Sequence, residues 1–258
     1  MKSLYSKLGI KYQQEYDGNY HDLSVADDRY RLVVAKKGKH LSGFGRPVIC
    51  FGDIKSGLRA FKRIYNGCNS VWYHSYGGLD EIGRFLVEHG KKPTPFYTQV
   101  IDLTKSVPDL HADMRKSYQN LANKYTPIVS THPSDIDRFK QLHIEVCGRQ
   151  TRSDKTWDMQ KLMLEAGEAF IVHSPSWDAA GLFICNEGYC YYGVGKSLGL
   201  ASHPILWKAI CHAKKLGCTE FEMGEQVFAG DKKAVGISLF KRGFGGETRV
   251  RLEFKDYK

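Results

Sequence analysis

The chain has 258 residues, 42% hydrophobic and 12% aromatic, which is enough apolar material for one large α/β domain or two small ones and excludes a disordered or fibrous protein. Lysine and arginine total 38 against 28 for aspartate and glutamate, and the formal charge of +10 favours anionic partners such as nucleotides, coenzyme phosphates or nucleic acid. Cysteines at 50, 68, 147, 185, 190, 211 and 218 form no C-x-x-C pair, which argues against a zinc cluster or a disulfide framework and for a reducing compartment.

The opening MKSLYSKLGIKYQQEYDG is too polar for a signal peptide, and no apolar run approaches the roughly 20 residues that span a bilayer. The expectation is a cytoplasmic protein without membrane insertion. Residues 1–95 mix short apolar runs at 30–35 and 47–52 with glycine turns, and predict helices over 55–65 and 80–89. Tyr76-Gly77-Gly78 is the motif that stands out there. Proline and lysine at 91–95 mark the expected boundary between an N-terminal α/β subdomain, 1–95, and the remainder, 96–258.

Beyond it a strand is predicted over 96–103, and Ser106-Val107-Pro108-Asp109 starts a helix with Leu110, Met114 and Leu121 on one face and Arg115, Lys116 and Lys124 elsewhere. A second helix follows over 153–166, stopped by Gly167. Strands then run over 169–173, 179–186 and 189–194, the last two joined by a hairpin turn at Asn186-Glu187-Gly188. The clearest helix is 203–216: Ser202 or His203 caps it, Pro204 sits in its first turn, and Ile205, Leu206, Ala209, Ile210, Ala213 and Leu216 form one apolar stripe. Lys214 and Lys215 oppose its C-terminal dipole, and Gly217 ends it. A strand over 218–223, a short helix over 234–242 and a half-buried strand over 248–254 complete the chain.

Gly193-Val194-Gly195-Lys196-Ser197 is not a phosphate-binding P-loop, because Cys190 stands where the first glycine belongs and Gly199 and Pro204 delay the helix. The same segment offers another geometry: Lys196, Ser197 and Gly199 lead to Ser202 and His203 at a helix N-terminus, whose unpaired backbone N–H groups suit a pyrophosphate. An ordinary strand-to-helix connection is the alternative. Residues 236–247 read G-I-S-L-F-K-R-G-F-G-G-E, with Lys241 on a short helix before a glycine-rich turn. No H-x-x-x-H, H-E-x-x-H or G-x-S-x-G occurs, so neither a metal centre nor a serine nucleophile is expected.

The order of elements from 96 to 258 resembles a GNAT acyltransferase domain. Residues 102–124, 143–152, 191–225 and 236–247 resemble the Fem-type branch, whose members build peptidoglycan peptide bridges from aminoacyl-tRNA; the closing G-I-x-x-F-K-x-x-F-G-G-E is the most specific of these signals. The segment around Tyr76 also looks like part of that branch's first domain. The resemblance implies an α/β fold: a GNAT mixed sheet with helices on both faces, plus a smaller N-terminal α/β subdomain resembling a truncated GNAT half. Fem enzymes proper are longer, and this chain has Phe221-Glu222-Met223-Gly224-Glu225 where the branch shows an Asp-Phe-Gly type ending. Its length points to shorter relatives, nucleotide-sugar N-acyltransferases. These take acyl-CoA as a co-substrate, with no permanently bound cofactor, and act on a dTDP- or UDP-linked amino sugar.

Under that reading, Glu222 or Glu225 accepts the amine proton, Lys241 neutralises oxyanion or phosphate charge, and Tyr191 or Tyr192 protonates the leaving group. Lys196, Ser197, Gly199, Ser202 and His203 would hold the coenzyme A pyrophosphate. Arg149 falls where the branch places an arginine on the acceptor's phosphates, Arg152 is the near alternative, and Arg115 and Tyr76 complete the substrate-binding set. The alternative expectation is an aminoacyl-tRNA-dependent transferase acting on a peptidoglycan precursor, with tRNA as partner. A non-catalytic nucleic-acid module is a third class, for which no aromatic-plus-basic RNA motif appears. Monomer and homodimer are both left open.

Overall fold

The structure, a computed structural model, describes residues 4, 6–18, 20–27, 30–43, 49–199 and 202–256. Part of the expected apolar run at 47–52, and residues 200 and 201 of the expected phosphate loop, lie outside the described residues.

In chain order, helix α1 (Lys7–Asp17) precedes short strands β1 (His21–Asp22), β2 (Val25–Asp27), β3 (Tyr30–Leu32), β4 (Ala35–Lys37), β5 (His40–Ser42) and β6 (Ile49–Gly52). Next come α2 (Ile54–Tyr65), β7 (Ser70–Tyr76), α3 (Glu81–Glu88) and β8 (Pro93–Asp102). Helices α4 (Val107–Ala112) and α5 (Lys116–Ala122), β9 (Ile128–Ser130), and helices α6 (Asp135–Cys147) and α7 (Asp154–Glu165) follow. The chain ends with β10 (Ala169–His173), β11 (Ala179–Asn186), β12 (Tyr189–Ser197), α8 (Ser202–Lys215), β13 (Glu220–Glu225), α9 (Lys232–Arg242) and β14 (Glu247–Lys255).

Two compact units result, one of Met1–Tyr12 with Thr98–Thr248 and one of Gln13–Tyr97 with Arg249–Lys258. This grouping differs from the 1–95 and 96–258 division read from sequence. Arg251–Lys255 on β14 pair antiparallel with Tyr76–Trp72 on β7, so the C-terminal residues join the N-terminal unit. In that unit β1, β4, β5, β7 and β14 form one sheet, antiparallel except for the β5–β7 pair, and β2, β3 and β6 form a second. Its core holds Phe61 and Tyr65 of α2, Phe85 of α3, and Tyr73 and Phe254 of the sheet.

In the larger unit the strand order is β8–β13–β12–β11–β10–β9, and only β13 and β12 run parallel. This sheet is buried on both faces. On β10, Phe170 and Val172 join a core with Leu110, Tyr118, Ile205, Leu206 and Ile210 from α4, α5 and α8; Ala169 and Ile171 join another with Phe139, Leu142 and Trp157 from α6 and α7. The period-two alternation of a strand sends its residues to opposite layers, and each large apolar side chain so buried contributes about 1.5–3 kcal/mol. The helix expected to run on from Ser106 is broken into α4 and α5. Ser106 caps α4 as anticipated, but the Arg115 N–H donates 2.8 Å to the Gly243 carbonyl instead of continuing the helical ladder. Among the described residues, no helix is long and apolar enough to cross a membrane.

Candidate active site

The parallel strands β12 and β13 pair only through Tyr189–Tyr191 with Glu220–Glu222, although β12 runs on to Ser197 and β13 to Glu225. Each is irregular where they part. Leu182 faces Val194 while Phe183 faces Tyr192, so Gly193 is the extra residue of a bulge in β12. Glu222 faces Val100 while Gly224 faces Gln99, so Met223 is the extra residue of a bulge in β13. A bulge bends its strand and increases the local twist, and two of them, on neighbouring strands, open a wedge whose β12 edge has no ladder partner on β13 beyond Tyr191.

Polar side chains from three elements meet at the mouth of this wedge. Gly224 has φ +81°, a conformation that favours glycine. A Cβ placed on it would stand 3.5 Å from both the Lys241 Nζ and the Tyr191 Oη, so the missing side chain leaves room between these two donors. Lys241 Nζ also donates to the Glu225 carbonyl at 3.3 Å. Burial lowers the Lys241 pKa from its ordinary 10.5, against the opposing pull of the Glu225 and Glu222 carboxylates. Of these two acids, Glu222 is 8% exposed and its Oε1 accepts from Thr98 Oγ1 at 2.9 Å, whereas the Glu225 side chain is exposed. Phe240, the neighbour of Lys241 on α9, has its ring 5.1 Å from that of His203 in the first turn of α8.

The turn after α9 is locked in place by close packing. Gly246 has φ +77°, and a Cβ there would come within 2.3 Å of the Val100 carbonyl oxygen. The Gln99 amide donates 2.7 Å to the Gly245 carbonyl and accepts from Thr248 Oγ1 at 2.8 Å. The glycines of the closing motif thus let the turn lie directly on β8.

The other expected site residues are dispersed. Tyr192 points away from the wedge: its ring stacks on Phe183 at 5.4 Å, and burial pushes its pKa up to about 12. Tyr191 is the tyrosine at the site. Lys196 stands opposite Ala180, whose side chain joins the core with α6 and α7, and its charge contributes to lowering the His143 pKa. Ser197 Oγ accepts from the Gly199 N–H at 3.0 Å in a local turn. Ser202 begins α8, and the His203 ring packs among Tyr118, Phe240 and Phe244. Arg149 is exposed. Arg115 is exposed too, with its guanidinium over the Tyr118 ring at 5.1 Å. Tyr76 belongs to the smaller unit and carries the Arg251 guanidinium 3.9 Å above its ring.

Arg152 is better placed than Arg149. Its Nη1 donates 2.6 Å to His143 Nε2, and its guanidinium lies 5.6 Å from the Trp157 ring centre. An arginine is always charged, so this bond requires a neutral imidazole whose proton is on Nδ1. Burial, then Arg152, then Lys196 lower the His143 pKa to about 4. His143 Nδ1 and Trp157 Nε1 are buried without a hydrogen-bond partner within the protein. Arg152, His143 and Trp157 thus adjoin one another where α6 and α7 meet, with the Lys196 charge felt at His143. His143, Trp157 and Thr98 were not singled out from sequence, although His143 and Trp157 do fall on buried helical stripes. Among the described residues, no cluster of His, Cys, Asp or Glu is arranged to hold a metal ion.

No protein-family model matches the sequence, and no curated protein matches it. Solved structures do. FemX superposes with a TM-score of 0.70 at 14% identity, over 95% of this chain and 90% of its own. L-PGS from Bacillus licheniformis gives 0.62 at 14% identity, over 98% and 93%. A tandem GNAT protein from the clavulanic acid biosynthesis pathway gives 0.50 at 12% identity, over 91% and 82%. The likeness to FemX covers most of both chains and concerns the fold. The fold itself is as expected, a mixed α/β sheet with helices of GNAT-like, Fem-type architecture.

Proposed function

We propose that this chain is an N-acyltransferase that moves an acyl group from acyl-CoA to the amino group of a nucleotide-linked amino sugar, without a covalent enzyme intermediate. The observation that carries this reading is the meeting of Lys241, Tyr191 and Glu222 where β12 and β13 part. The neutral amine attacks the thioester carbonyl carbon, a C–N bond forms, and the carbonyl electron pair moves onto oxygen. Lys241 stabilises that oxyanion. Glu222 takes the proton lost by nitrogen. Collapse re-forms the carbonyl and breaks the C–S bond, and the departing thiolate takes a proton from Tyr191, which solvent replaces. The products are an amide and free coenzyme A.

The unpaired edge of β12 offers backbone groups to the amides of a pantetheine arm. Arg152 and Lys196, with the His143 and Trp157 N–H groups, suit the acceptor's diphosphate. Both substrates belong to the cytoplasm, which is where the enzyme would act. The test is release of free thiol from acetyl-CoA with UDP- and dTDP-linked amino sugars. Thiol release that depends on an amino sugar supports the reading, and none with any of them counts against it.

A second reading has its own support. The net charge of +10 and the match over 90% of FemX favour an aminoacyl-tRNA donor and a peptidoglycan-precursor amine. The same attack would then break an ester C–O bond. Tight, salt-sensitive tRNA binding would favour this donor, and absence of tRNA binding at low salt would remove it.

A further inference from the structure

Gln226 directly follows β13 and is 3% exposed. Its Nε2 donates to the Glu225 carbonyl at 3.1 Å and also reaches that of Gly224 at 3.5 Å. These two acceptors fix the amide's orientation, since a flip would set Oε1 against two carbonyl oxygens. The residues that follow are pinned: the Val227 N–H donates 2.8 Å to Ser238 Oγ, which donates 2.9 Å to the Ala234 carbonyl of α9. Oε1 is left buried, with no hydrogen-bond partner within the protein. Buried acceptors are seldom left unmet in native proteins, and those that are call for an explanation. The Glu225 carbonyl that receives Gln226 Nε2 also receives Lys241 Nζ, so this amide adjoins the ammonium of the candidate site.

We infer that Gln226 Oε1 accepts the second N–H of the attacking amine and so selects nitrogen over oxygen acceptors, an inference that rests on the acyl-transfer reading. A primary amine brings two N–H groups. Glu222 removes one proton as the C–N bond forms, and the amide product keeps the other, so the bond to Oε1 persists through the reaction. A hydroxyl brings one O–H, which the base must take, and the ester transition state leaves Oε1 unmet in a buried site. The penalty falls on the oxygen acceptor alone.

The test measures amide and ester products by mass spectrometry, for wild type and Gln226→Met, with acetyl-CoA and a UDP-linked amino sugar or its hydroxyl counterpart. Amide formation by the variant should fall about tenfold or more, with a smaller loss for any ester formed. An amide rate within twofold of wild type, or equal losses for amide and ester, overturns the inference and leaves the acyltransferase intact. No product from wild type with either acceptor overturns the acyl-transfer reading, and this inference with it. Should the variant fail to fold, a crystal structure of wild type soaked in ethylamine decides: the amine nitrogen within hydrogen-bond distance of Oε1 supports the role, and a water retained there, or enclosure by carbon alone, overturns it.

Discussion

Acidification should cost the fold about 3 kcal/mol through His143 alone. The ring is 2% exposed and accepts from Arg152, so it is folded in its neutral form. Its folded pKa of about 4 lies below the ordinary 6.5, first because of burial and then because of the Arg152 and Lys196 charges. As pH falls, the unfolded chain therefore binds the proton first. The stabilising contribution is complete above 6.5 and is lost progressively as pH falls toward 4. At about 1.4 kcal/mol per pH unit, that interval amounts to about 3 kcal/mol. Urea unfolding at pH 7 and at pH near 4, with wild type and His143→Gln, measures it. The glutamine can accept from Arg152 and donate on its other side without titrating, so the variant should lack this share of the acid loss. Parallel pH dependence of the two proteins would refute the reasoning. The same electrostatics predict that UDP bound beside Arg152 and Lys196 raises the His143 pKa, which imidazole NMR can follow.

Three further outcomes are expected. Because burial lowers the Lys241 pKa, the alkaline limb of the pH–rate profile should lie below 10.5, and Lys241→Arg should move it upward; the cost of burying the charge is present below the folded pKa and is relieved as pH rises toward 10.5, so urea unfolding should show that relief in wild type and not in Lys241→Met. Tyr191→Phe should lower kcat by about 100-fold or more while Tyr192→Phe leaves it nearly unchanged, since only the former hydroxyl adjoins Gly224. Gly246→Ala combines a left-handed backbone with a 2.3 Å approach to the Val100 oxygen; a loss of about 1–3 kcal/mol or more is expected, read as a fall in Tm.

The elements whose determinants are local were legible in the sequence. The apolar stripe of α8, with Pro204 in its first turn and Gly217 after it, led to a helix within a residue of the one found. Strands β10 and β11 match their expected bounds. What was missed depended on distant partners. The break between α4 and α5 needs the Gly243 carbonyl, more than a hundred residues away, to capture the Arg115 N–H. Helix α6 is the exception: Pro133 and Ser134 before it, Asp135 and Asp137 in its first turn, the buried face of Ile136, Phe139 and Leu142, and Gly148 after it are all local signals.

The bulge in β12 changes which side chains share a face. Without a bulge, Lys196 would share a face with Cys190 and Tyr192, on the α8 side. The extra residue Gly193 reverses the phase, sends Val194 into the core beneath α6 and α7, and puts Lys196, opposite Ala180, on that same face. Alternation also put Tyr191 and Tyr192 on opposite faces, but only the pairing of Tyr191 with Glu222 tells which one faces the acids.

The account stands on Lys241 acting at a reacting carbonyl between the parted strands. Acyl transfer from acetyl-CoA, and from an aminoacyl-tRNA, to UDP-linked amino sugars and peptidoglycan-precursor amines, compared between wild type and Lys241→Met, tests that most directly. The account predicts an amide product from one of the two carriers, falling by about 100- to 1,000-fold in the variant while its fold is retained. No product from either carrier, or equal product from both proteins, would contradict it.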